Sequence, residues 1–260
     1  QADVLLTELQ RVQLIAWSNT PGGDGVVLTG SLQQGALNDA ALNGNPIQSG
    51  VLIREHADTI VPDLVRARLF YETGLLSLDF NETMDGTLGA YFLIIVLSST
   101  IKYLLLSIFH ILTFSCLFFF FTNTANGNVG LDLTKYSIAN SVGGNEIPLV
   151  GAEVLTLTDG YTINITLTEL QRVAGIALSQ YPGGDGIAVV LDQQTDGAAV
   201  DIAQNPVHER LGYEVVEFQD LRQPLPIRAK VFLATGILTV TSDEIMDLTP
   251  LLGIVTTTFA

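Results

Sequence analysis

One cysteine, Cys116, stands in 260 residues, so no intramolecular disulfide can form, and CxxC zinc or redox sites are excluded with it. Histidine is nearly as scarce: His56, His110 and His208 leave little from which to assemble a metal centre or a nucleophile with its base. Positive charge is the third shortage. Lys and Arg number 11 against 27 Asp and Glu, a formal −16, and such a chain lacks the basic face that neutralises nucleic-acid phosphates. Charged residues make up only 15% of the chain and hydrophobic ones 48%, with 24 Gly. That balance excludes a disordered acidic tail and suits buried β-structure. The chain starts at Gln1 with no Met and no basic stretch ahead of an apolar one, so any signal peptide is expected outside it, and it reads as a fragment.

What the chain does contain is a repeat. Leu6-Thr-Glu-Leu-Gln-Arg-Val12 recurs letter for letter as Leu167-Thr-Glu-Leu-Gln-Arg-Val173, 161 positions later. Pro21-Gly-Gly-Asp-Gly25 returns as Pro182-Gly-Gly-Asp-Gly186, and Asn45-Pro46 aligns with Asn205-Pro206. Arg66-Ala-Arg68, Gly74-Leu-Leu and Glu82-Thr-Met-Asp85 are echoed by Arg228-Ala-Lys230, Gly236-Ile-Leu and Glu244-Ile-Met-Asp247. After Thr249 the second copy reaches Val255 within five residues, whereas about 45 separate Thr87 from Leu133 in the first. An insert near residues 88–127 therefore interrupts one copy, and the underlying period is nearer 120. The insert holds 7 of the 12 Phe, the only Cys and no acid.

Residues 66–80 read as two short strands joined at Glu72-Thr-Gly74, and residues 147–149, 153–158, 161–167 and 187–191 supply further strands between turn signals. Thr168-Glu-Leu-Gln171 has the spacing of a capping box, so a short helix is expected to follow and to stop at Pro182-Gly-Gly184. The fold expected is all-β: a sandwich of many short strands with one small helix per repeat. In this frame residues 1–57 are the C-terminal half of one unit, 58–209 a complete unit carrying the hydrophobic insert 88–127, and 210–260 the N-terminal half of the next.

Leu78-Asp-Phe-Asn-Glu-Thr-Met-Asp85, followed after the insert by Leu131-Asp-Leu-Thr-Lys-Tyr-Ser-Ile138, resembles the opening of bacterial immunoglobulin-like repeats of the S-layer type. Asp201-Ile-Ala-Gln-Asn-Pro206 is similar to the segment that closes such domains, and the combination resembles tandem repeats of microalgal surface proteins. The resemblance covers nearly the whole chain apart from residues 88–127. It implies immunoglobulin-like β-sandwich tandem repeats in an extracellular or cell-surface protein used for structure or adhesion, with neighbouring repeats, other surface proteins or glycans as partners. Gln204 stands where the family pattern has Gly, and no second acid beside Asp201 builds an obvious calcium cluster.

Acids near turns, Asp24, Asp39, Asp85, Asp185, Asp201 and Asp247, are candidates for calcium, which takes carboxylate and carbonyl oxygens. The set singled out is Asp185, Asp201 and Asn205; the alternative is that these side chains cap local turns. No other cofactor is expected. Pro-Gly-Gly-Asp-Gly follows a helix and precedes a strand, the reverse of a phosphate loop. Glu8 and Glu169 fit a helix first turn. His208-Glu209, aligned with Gln48-Ser49, and His56-Ala-Asp58, which has no echo, read as surface pairs, so no catalytic residue is named and no enzyme is expected. Trp17, opposite Leu178 in the repeat, reads as packing. Asn81-Glu-Thr83 and Asn164-Ile-Thr166 are N-glycosylation sequons.

The function expected is a non-catalytic spacer or adhesive module. Two alternatives stay open: a single-pass membrane protein, because residues 103–121 form an apolar stretch of spanning length, and a glycan-binding accessory module, although Tyr71, Tyr161, Tyr181 and Tyr213 form no regular row. The insert itself reads as translated non-coding sequence, most simply a retained intron, since its Phe, Leu, Ile and Ser content is what T-rich DNA encodes. It is expected to form a helix or a loose excursion outside the sandwich.

Overall fold

The computed structural model describes residues 4–20, 23, 25–86, 130–184 and 186–246, together with the backbone of 92–94 and 119–121. The described residues are mostly β, with two α-helices, α1 (Glu8–Ser18) and α2 (Glu169–Ser179). The strands before the insert are β1 (Leu28–Leu32), β2 (Gln48–Ile53), β3 (Leu64–Phe70) and β4 (Leu75–Met84). Then come β5 (Phe92–Ile94), β6 (Phe119–Phe121), β7 (Tyr136–Ala139), β8 (Glu146–Pro148), β9 (Glu153–Val154) and β10 (Gly160–Thr166). After α2 follow β11 (Val190–Gln193), β12 (Arg210–Phe218), β13 (Pro226–Phe232) and β14 (Ile237–Ser242).

Eight strands form one ladder in the order β8-β7-β11-β12-β3-β4-β10-β9. Every pairing in it is antiparallel except β12 with β3, where Val215 faces Ala67 and Phe218 faces Phe70. The ladder curls on itself, because side chains from both of its halves meet in one core: Leu69, Leu76, Leu78 and Ile165 from one, Tyr136, Ile138, Leu191 and Val215 from the other. Burying alternate residues of twisted strands from two directions gives this layer its driving force. β12 lies beyond the division drawn at residue 209, yet it is the strand that joins the two halves.

Both helices start at a complete capping box: Thr7 with Gln10, and Thr168 with Gln171, each pair exchanging side-chain and backbone hydrogen bonds. Their ends depart from expectation. Each stops before the Pro-Gly-Gly segment, at a left-handed Asn19 (φ 61°) or Gln180 (φ 58°), whose N–H reaches back to Ala16 or Ala177. A polar residue at the cap therefore ends the helix, and the glycines shape the loop beyond. Gly184 is required there, since a Cβ on it would lie 2.2 Å from the Tyr71 ring.

The short hairpins at either end repeat registers of the eight-stranded ladder. In β3–β4, Arg66 faces Asp79 and Phe70 faces Leu75; in β13–β14, 162 positions on, Arg228 faces Thr241 and Phe232 faces Ile237, with the same register shift at the first pair. Likewise Thr29, Gly30 and Leu32 of β1 face Leu52, Val51 and Gln48 of β2 as Val190, Leu191 and Gln193 face Glu214, Tyr213 and Arg210. The turn after each of these first strands also matches, but not as the Asn-Pro pairs suggest. Asp39 accepts from the backbone N–H of Asn43 at 2.8 Å and from its Nδ2 at 2.9 Å, as Asp201 does from Asn205 at 2.8 and 3.0 Å. Asn205 thus corresponds to Asn43, not Asn45, because closing this turn needs an Asn four residues after the Asp. His208-Glu209 then falls opposite Pro46-Ile47.

β5 and β6 pair only with each other, Phe92 facing Phe121, outside the eight-stranded ladder. Of the two forms expected for the insert, a helix or a loose excursion outside the sandwich, these six residues take neither a helical form nor a place in the ladder, and the remainder of the insert, including 103–118 of the apolar stretch, lies outside the described residues. Among the described residues no helix is long and apolar enough to cross a membrane. The chain leaves and re-enters at one place: Asp85 donates its N–H to Val200 and Val200 donates to Gly130, at 3.1 and 2.8 Å. A Cβ on Gly130 would lie 1.9 Å from the Asp85 carbonyl oxygen, so only glycine fits at the return.

Candidate functional site

Among the described residues, a dense polar arrangement is built around each of two arginines, both one helical turn into their helices. Arg172 donates from Nε and Nη2 to Glu169 at 2.6 and 2.7 Å, from Nη1 to Asp220 and to the Tyr71 carbonyl (3.1 Å), and from Nη2 to Glu244 (3.5 Å). Arg11 donates to Glu8 twice at 2.6 Å, to Asp58, and to Glu82 at 3.3 Å. Each partner of one cluster sits 161 or 162 positions from its partner in the other. Glu8 also accepts from the Thr83 N–H at 3.1 Å, and Glu169 from the Ile245 N–H at 3.0 Å. Each cluster therefore ties a helix to the irregular segment after the next strand pair and to the far end of the following hairpin. The planar guanidinium is the group that can serve three carboxylates from three segments at once. Hydrogen bonding from Arg11 and Arg172 holds the Glu8 and Glu169 carboxyls below the ordinary carboxylate range.

The two clusters differ in charge. At the second, Arg222 adds a guanidinium, with Nε 3.7 Å from Glu244 and Nη2 2.6 Å from Asp243. At the first the corresponding residue is Ile60, and Asp201 is added: one carboxylate oxygen each of Asp58, Glu82 and Asp201 lies within 4.8 Å of the other two. Asp201 is wholly buried and Glu82 is 7% exposed. The Glu82 Oε1 is buried without a hydrogen-bond partner. Burial, helped by repulsion from Asp201, pushes the Glu82 carboxyl up to about 7 against the pull of Arg11. Burial also raises Asp201, whereas the exposed Asp39, in the same local turn, is lowered by Asn43.

Of the calcium set, Asp201 joins this cluster. Asn205 turns its amide nitrogen to Asp201, 3.0 Å away, in the manner of a turn cap, and Asp185 lies outside the described residues, as do Asp24 and Asp247. Gln204 takes a left-handed conformation (φ 66°), and its side-chain Nε2 donates to Asp85 at 3.0 Å. Asn81 is exposed on β4, its Oδ1 accepting from the Asp63 N–H at 2.8 Å; Asn164 is half-buried on β10. His208 Nδ1 lies 3.6 Å from Asp196 with both side chains about 70% exposed, and the Glu209 N–H also donates to Asp196 at 2.6 Å.

A cleft of roughly 530 Å³ runs under α1, lined by Leu14, Ile15, Leu28, Ile53, Glu55 and His56 among others. The matching positions around α2 enclose Tyr71, whose hydroxyl donates to Glu217 at 2.5 Å. Trp17 is 65% exposed, although its counterpart Leu178 packs on the core.

The signal missed in the sequence is the arginine. It sits inside the perfectly repeated heptapeptide, and Asp58 and Asp220 lie at matching distances downstream in otherwise dissimilar segments. No family model, no curated protein and no solved structure matches the chain.

Proposed function

We propose that the chain is a non-catalytic structural or adhesive module of an extracellular tandem-repeat protein, built from immunoglobulin-like β-sandwich units. The observation that carries the reading is the recurrence of one arginine clasp at two successive places, Arg11 with Glu8, Asp58 and Glu82, and Arg172 with Glu169, Asp220 and Glu244. Each clasp spans elements of two successive units and fixes the connecting segment between them. A spacer or adhesive rod needs a stiff joint repeated along its length. Exposed Asn81 on β4 is a position where a secreted chain can carry a glycan.

Small-angle X-ray scattering of the wild type and of Arg11→Lys/Arg172→Lys tests this. Lysine keeps the charge but presents one point donor group in place of a fork. The reading expects wild-type data that fit one conformation, and a double variant that expands and needs an ensemble. Wild-type data that already need an ensemble, or an unchanged double variant, contradict it.

A further inference from the structure

The first clasp leaves a charge problem that the second does not have. Three carboxylates, Glu8, Asp58 and Glu82, pair with a single guanidinium that spends its Nε and one Nη2 contact on Glu8, and a fourth, Asp201, crowds Asp58 and Glu82. At the second clasp Arg222 supplies a further positive charge beside Glu244; at the first, Ile60 supplies none. The Oε1 atoms of Glu82 and of its counterpart Glu244 are both buried without a hydrogen bond, but Glu244 Oε1 has the Arg222 guanidinium 3.7 Å away, whereas the ion pair of Glu82 with Arg11 runs through its other oxygen, Oε2. A buried acceptor of this kind loses its water and gains nothing in return, unless something else occupies the space it faces.

We propose that Asp58, Glu82 and Asp201 form a divalent-cation site of calcium type at the joint between residues 4–57 and the eight-stranded unit. The three carboxylates come from three separate segments: the connecting segment, β4 and the turn at 201–205. Oxygens that share one calcium lie 2.3–2.6 Å from it and hence no more than roughly 5 Å from one another. The observed limit of 4.8 Å meets that condition before any movement. Oxygen-only ligands of this charge suit a hard cation, and waters or nearby carbonyls complete the shell. Asn205 holds the Asp201 carboxylate in place through two hydrogen bonds, so one ligand is oriented in advance. Asp39 supplies the internal comparison: the same turn, exposed, and among the described residues in no such acidic group. The site stands on these residues alone and does not rest on the spacer or adhesive reading.

The test uses the whole chain, stripped with a chelator and titrated with calcium chloride by calorimetry, with melting temperature followed in parallel. Wild type and Asp39→Asn are expected to bind saturably and to melt higher with calcium. Glu82→Gln and Asp58→Asn are expected to bind at least tenfold more weakly and to lose the calcium-dependent rise. In chelator Glu82→Gln is expected to keep the wild-type circular dichroism spectrum and a single cooperative melt, which separates loss of the site from loss of the fold. Absence of saturable binding to wild type, or binding by both Glu82→Gln and Asp58→Asn as tight as wild type, overturns the proposal.

Discussion

Asp79 shows how one residue is held by its surroundings. It sits on β4 opposite Arg66 and accepts from Arg66 Nε at 2.8 Å, from Arg68 Nη2 at 3.0 Å and from the Thr162 hydroxyl at 2.8 Å. Burial alone would raise its carboxyl; the hydroxyl and the two arginines outweigh that and lower it from the ordinary 3.8. A carboxyl lowered in the folded state adds stability that is present above its unfolded value and is lost as pH falls through the folded one. Asp79→Asn is therefore expected to be less stable than wild type at pH 7 by about 2 kcal/mol, the scale of hydrogen bonds to a charged group. The difference should shrink as pH drops below about 4. Urea unfolding at pH 7 and pH 3 checks this; a difference that stays constant contradicts it. At this scale the sequence was partly legible. The caps at Thr7 and Thr168 were readable because a capping box is a local spacing. The arginine clasp was not, because its acids lie about 50 and 70 residues away, and nothing local announces that three segments meet.

Secondary elements were legible where the signal is periodic. The strand pair around Glu72-Thr-Gly74 and the helix after Thr168 lie where the pattern puts them. The end of that helix does not, since a Gln in the left-handed region stops it before the proline, and Gln is a rare choice there. β12 was passed over because Arg210-Leu-Gly-Tyr-Glu-Val-Val lacks a clean alternation; its burial comes from strands on both sides. The insert is the largest interruption, and its two ends meet at Val200, with Asp85 bonded to one side of that residue and Gly130 to the other. Joining Gly86 directly to Gly130 should therefore keep the ladder. Full-length chain lacking residues 87–129 is expected to give a β-type circular dichroism spectrum and a single cooperative melt, with a midpoint within a few degrees of wild type. Loss of cooperativity, or a helical spectrum, contradicts this.

Over the whole molecule, the repeat was readable as letters and its consequence as exposure. Leu69, Leu76 and Leu78 are wholly buried in the eight-stranded unit, while their counterparts Val231, Leu238 and Val240 on β13–β14 are 45–57% exposed. The same strand pair carries an apolar face in both places, and only one of them is covered by described residues. Exposed apolar strand faces of this extent are ordinarily interaction surfaces. What links the copies is the clasp, so the central claim is that the joint before the eight-stranded unit and the joint after it are one structure. Two spin-label pairs at matching exposed positions test it most directly, with Cys116→Ser to remove the native thiol: Ala16→Cys with Thr73→Cys across the first joint, and Ala177→Cys with Thr235→Cys across the second. Pulsed electron–electron resonance is expected to return two narrow distance distributions with the same maximum. Broad distributions, or maxima that differ between the two pairs, contradict a repeated rigid joint.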